Sequence, residues 1–154
     1  MNKLSPLGIG PKIGIVALPY LAAAIVLTLV YPEIFSFGPL AKRPLLIAGF
    51  LVLAIGLVFY APTAKALLKG LKENKLLTSG PYRYSQNPLY AVMILLMIPG
   101  IALTLNSWIV MTTSLVAFIL FKINIHTEYE EMEKFFGDAY LEYRKKTPEF
   151  FLFY

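Results

Sequence analysis

The sequence predicts an all-α polytopic membrane protein with about four transmembrane helices and a C-terminal cytoplasmic amphipathic helix. Three observations predict it. Hydrophobic residues make up 58% of the 154 and charged residues only 15%, against about 25% charged in soluble domains. The charges are segregated, so that long stretches hold none. Four of those stretches approach the length of about 20 apolar residues that a helix needs to cross a bilayer. A chain of this length is expected to form one domain, 1–154.

The first helix is expected over 13–31. Lys3 and Lys12 precede it and Ala22-Ala23-Ala24 lies inside it, which resembles a signal peptide. The run stays apolar through Leu29-Val30 and meets Tyr31-Pro32 rather than a cleavage site, so the helix is expected to be retained. Pro19 is placed to kink it. The second helix is expected over 45–64, where Gly49 and Gly56 permit close packing within the chain or between chains. A monomer and an oligomer are both compatible with that spacing. Helices over 89–105 and 107–125 form a hairpin with a tight turn at Asn106, shortly after Pro99-Gly100.

Two polar segments, 65–88 and 126–154, flank that hairpin. In the second, Met132, Phe135, Phe136, Tyr140 and Tyr143 share a helical face. Glu128, Glu130, Glu131 and Glu133 crowd what reads as the first turns of a new helix, where negative charge is favoured. Gly137 interrupts that helix and Thr147-Pro148 ends it. Twelve Lys and Arg residues fall in the N-terminus, segment 65–88 or the region from Lys122 onward, and only Lys42 and Arg43 fall on the other side. Positive charge collects on the cytoplasmic face, so both termini are expected there.

Composition also excludes. There is no cysteine and a single histidine, so disulfides, thiolate chemistry and a metal site are not expected. The net charge of +5 is accounted for by the membrane topology, and no nucleic-acid partner is expected. Gly8-Ile9-Gly10 follows no strand and so reads as a flexible N-terminus rather than a nucleotide loop. Thr78–Arg83 is a polar turn beside the membrane. Asn87 stands where a helix N-cap belongs and Pro88 at the first helical position. Glu128 lies just past the last apolar run, where a carboxylate needs a wet cavity or a partner. His126 beside it is a candidate general base.

The run Leu76-Leu77-Thr78-Ser79-Gly80-Pro81-Tyr82-Arg83-Tyr84-Ser85-Gln86-Asn87-Pro88-Leu89-Tyr90 resembles the core motif of the isoprenylcysteine carboxyl methyltransferase and phospholipid methyltransferase family. Glu128-Tyr129-Glu130-Glu131-Met132 followed by Phe136-Gly137-Asp138-Ala139-Tyr140-Leu141-Glu142-Tyr143 resembles its second motif. The resemblance implies an integral membrane methyltransferase that uses S-adenosylmethionine, enclosed between the hairpin and the C-terminal segment. Carried over by position, it implies cofactor binding by Leu76, Leu77, Tyr82, Asn87, Pro88, Leu89, Tyr90 and Glu128. The chain has Gln86-Asn87 where many members have Arg-His, and Tyr129 where a second glutamate is common. Glu130-Glu131 offers an adjacent acidic pair, so the register of the cofactor-contacting glutamate stays open between 128 and 131.

Eukaryotic members carry an Arg one turn before the first glutamate, for the substrate carboxylate; here Asn124 stands there, with Lys122 the nearest cation. The implied partners are membrane lipids and an amphiphilic or prenylated acceptor. A carboxylate acceptor needs no general base, whereas an amine or hydroxyl does, with His126 and Glu131 as the candidates. Two other readings are an NADPH-dependent sterol-type reductase relative and a non-catalytic membrane assembly protein.

Overall fold

The computed structural model describes residues 8–151. Among them the chain is helical, with one isolated bridge between Ser36 and Ser107 and no strand. Helix α1 spans Gly10–Val30 and runs unbroken through Pro19. A short α2, Pro32–Phe35, leads to α3, Lys42–Glu73. Helix α4 covers Pro88–Thr104. Helix α5 spans Trp108–Phe136 and α6 spans Asp138–Lys146. Three helices, α1, α3 and α5, are long and apolar enough to cross a membrane, while α4 is shorter. Their outward faces are apolar: Ile15, Leu18, Phe50, Val58, Leu115 and Ile123 are all exposed. Such a surface is stable against lipid and not against water, and the protein is an integral membrane protein.

The bundle is a row in which α1 packs on α5, α5 on α4 and α4 on α3. The α3 seam repeats every seven residues as Gly49, Gly56, Thr63 and Gly70, all buried. A Cβ on Gly49 would stand 2.5 Å from the Thr104 amide nitrogen, and one on Gly100 would stand 2.7 Å from Leu53 Cγ. The glycines therefore let α3 and α4 touch backbone to backbone within the chain. Along α5 the buried positions recur at three and four as Val110, Thr113, Ala117, Phe121, Ile125 and Tyr129. They meet Ile13, Ala17, Ala24 and Thr28 of α1, the a/d-like spacing of a helix face that packs along its length.

Inside α4, Met93–Met97 forms a π-helical turn, with the Ile98 N–H bonded to the Met93 carbonyl. Pro99 explains it: with no N–H to offer Leu95, the ladder around it is loosened and widens by one residue. The hairpin turn is at Asn106 as the sequence predicts, in a left-handed conformation at φ +53. Asn106 Nδ2 donates to the Gly38 carbonyl at 3.0 Å. Ser107 caps α5, accepting from the Val110 N–H, and bonds the Thr28 hydroxyl at 2.7 Å.

Two expectations are corrected. Helix α3 does not end near residue 64 but continues to Glu73, where Asn74 closes it in the left-handed region. The fourth predicted span and the tail helix are one helix, α5, with no break at 126. Glu128, Glu130, Glu131 and Glu133 thus lie near its C-terminal end, not in the first turns of a new helix. The helix-dipole argument does not apply to them. The change from apolar to polar sequence marks where the helix leaves the lipid, not where its hydrogen bonding stops.

Candidate functional site

Where α3 ends, α1 and α4 begin and α5 nears its end, the four helices leave a cavity of about 370 Å³. That size suits a small molecule. From the first motif, Leu76, Leu77, Tyr82 and the run Asn87, Pro88, Leu89 and Tyr90 line it; from the second, Glu128 does. Met132, Phe136, Tyr140 and Tyr143 add the predicted face of the tail, with Glu131 beside them, whereas Phe135 turns aside and packs edge-on against Phe136 at 4.9 Å. Leu76 and Leu77 reach the cavity because Gly70 leaves them room; a Cβ there would stand 2.7 Å from Leu77 Cγ.

Glu128 is held from two sides. The Tyr90 hydroxyl donates to its Oε2 at 3.1 Å and the Ile9 backbone N–H donates to the same atom at 3.2 Å. The second donor overturns the reading of Gly8-Ile9-Gly10 as a loose end. Ile9 is 2% exposed within the main apolar cluster, and Gly8, Gly10 and Pro11 line the cavity. No local pattern announces this, because the partner is more than a hundred residues away in sequence.

A second network fixes the first motif to the chain's end. Asn87 Nδ2 donates to the Tyr129 hydroxyl at 2.7 Å, and that hydroxyl donates to Glu149 Oε1 at 2.9 Å. Asn87 therefore does not cap α4 with its side chain, as the sequence suggests; the buried phenol is the better partner. Gln86 Nε2 donates to the carbonyls of Thr147 and Arg144. The Tyr143 hydroxyl donates to the Tyr82 carbonyl at 2.6 Å. Phe150 closes the apolar side, 4.8 Å from Phe121. Arg144 lies over the Tyr129 ring at 4.4 Å, a cation–π contact on its outer face. Burial raises the Tyr82, Tyr140 and Tyr143 phenols well above the ordinary tyrosine value, with Glu128 adding to the rise at Tyr82. They stay neutral donors and apolar walls across the physiological range.

The remaining candidates are placed apart from the cavity. His126 is exposed on α5, two residues and so about 200° from Glu128 around the helix, and it does not line the cavity. Asn124 Nδ2 donates to the Leu120 carbonyl of its own helix. Lys122 pairs with Glu149 and faces a shallow polar depression behind Tyr129. No group of three or more His, Cys, Asp or Glu among the described residues is placed to hold a metal.

Fold and cavity together define a polytopic helical membrane protein with a mostly apolar small-molecule site that contains the carboxyl groups of Glu128 and Glu131. The phospholipid methyltransferase family model matches residues 45–139, more than half of the chain, and the chain belongs to that family. Membership makes it a membrane methyltransferase of the phospholipid and isoprenylcysteine type. No curated protein and no solved structure gives a significant match.

Proposed function

We propose that the cavity binds S-adenosylmethionine and that the protein methylates a lipid-like or isoprenylated acceptor at the cytoplasmic membrane face. One observation carries this reading. The eight positions that the family resemblance marks for the cofactor all line a single cavity, although they come from two separate parts of the chain. The residues there suit the ligand's chemistry. Glu128, with Glu131 nearby, puts a carboxyl group in a mostly apolar lining, where it complements an ammonium. The aromatic faces of Tyr82, Tyr90 and Tyr140 suit a flat base or a sulfonium. When bound, the cofactor supplies an already activated methyl group.

The protein's own work is then alignment and exclusion of water. The Tyr129–Asn87–Glu149 network holds the first motif against α5, and Tyr143 fixes the turn that presents Tyr82. Glu131, which lines the cavity from α5, is our candidate proton acceptor for an amine or hydroxyl nucleophile. The helix directions support four crossings with both helical ends of the bundle's chain on one side, and the Lys and Arg distribution favours the cytoplasm for that side. The start of α1, the end of α3, the start of α4 and the end of α5 all meet at the cavity, as alternating spans require.

The test is calorimetric titration of the detergent-purified protein with S-adenosylmethionine, with Glu128→Ala as the comparison. Saturable binding that the variant weakens strongly is expected; a wild type that takes up no cofactor refutes the reading.

A further inference from the structure

We infer that the residues opening α1, Gly8 and Ile9, are part of the cofactor site and set the position of the Glu128 carboxylate. This rests on the S-adenosylmethionine reading and deepens it. Ile9 is the N-cap of α1, so its N–H has no partner within that helix. It points instead at Glu128 Oε2, bringing the positive end of a 21-residue helix against the carboxylate. Tyr90 binds the same oxygen from α4. Two donors on one oxygen fix the carboxyl plane and place the carboxyl group where an ammonium can meet it.

Gly8 makes the contact possible. It holds φ +51, in the left-handed region. A Cβ there would stand 2.5 Å from Glu128 Oε2 and 3.0 Å from the Tyr90 hydroxyl. The carboxylate occupies the space of the missing side chain. Both residues precede the family-matched region 45–139. Gly8 and Ile9 act through Glu128 and are positioning residues.

The test uses two ligands. S-Adenosylmethionine carries the ammonium; methylthioadenosine shares the nucleoside and sulfur but lacks the amino acid part. Calorimetry on the full-length protein in detergent compares the wild type with Gly8→Ala and with Gly14→Ala, where an added methyl meets only ordinary contact at 3.7 Å. Gly8→Ala is expected to weaken S-adenosylmethionine about tenfold and leave methylthioadenosine unchanged. Gly14→Ala is expected to change neither. In a Glu128→Ala background, Gly8→Ala is expected to have no further effect. Equal weakening of both ligands by Gly8→Ala, or of neither, overturns the inference while leaving the cofactor reading intact. Failure of the wild type to bind S-adenosylmethionine overturns both.

Discussion

At the scale of residues, the site separates side chains that face the cavity from those that hold them there. Glu131 lines the cavity and His126 does not. Methyl transfer is therefore expected to be unaffected by His126→Ala. Glu131→Gln is expected to lower kcat by about 10²–10⁴ with an amine acceptor and to leave a carboxylate acceptor untouched. Single-turnover assays with paired acceptors check this and identify the acceptor class at the same time. Tyr143 makes no reacting contact, yet its hydroxyl serves the carbonyls of Tyr82 and Ser85. Tyr143→Phe leaves those buried carbonyls short of a donor and is expected to cost about 1–3 kcal/mol, read as a lower unfolding temperature in detergent. The residues that line the cavity from the two motifs were legible in the sequence through the family resemblance, because each sits in a contiguous run that the resemblance marks. The side-chain partner of Asn87 was not legible. An N-cap and a bond to Tyr129 look the same from the α4 side until α5 is in place.

Elements explain which readings carried through. The hairpin of α4 and α5 could be read because apolar length and Asn106 speak for the same turn, while the cap by Ser107 shows only in the structure. The continuity of α5 through 126–136 could not, since a composition change looks like a boundary while backbone hydrogen bonding ignores it. The glycine seam of α3 was visible as spacing, but only its contact with Thr104 and Met97 assigns it to packing within the chain. Enlarging Gly49 must push α3 away from the α4 backbone. Gly49→Ala is expected to destabilise by about 1–3 kcal/mol, measured by thermal unfolding in detergent. The C-terminal segment is an equally structural element. Phe150 is 2% exposed against Phe118 and Phe121. Phe150→Ala is expected to cost about 3–5 kcal/mol and to weaken cofactor binding in parallel, because Glu149 and Thr147 then lose their hold on Asn87 and Gln86.

For the whole molecule, one arrangement accounts for both charge and cavity. Lys12, the lysines and arginine of 65–83 and those of 134–146 lie at the end of the bundle where α1 and α4 start and α3 and α5 finish, and the cavity lies at that same end. Under the proposed function, a cofactor supplied from the cytoplasm and an acceptor supplied from lipid meet at the boundary between the two phases. Helix α4 is the shortest of the four, 17 residues with a π-turn inside it. At about 1.5 Å per residue it spans roughly 25 Å, short of a hydrocarbon core of about 30 Å, unless the polar turn at Asn106 and the α2 loop sit within the interface. The absence of cysteine from the sequence makes a direct test available. Single cysteines at Ser79, exposed beside the cavity, and at Leu40, 96% exposed at the opposite end, report the side on which each lies. In sealed right-side-out vesicles a membrane-impermeant maleimide is expected to label Leu40→Cys and to reach Ser79→Cys only after the vesicles are opened. Labelling of both before opening would mean that α3 does not cross, and with it the alternation that brings the four helix ends to one cavity would fail.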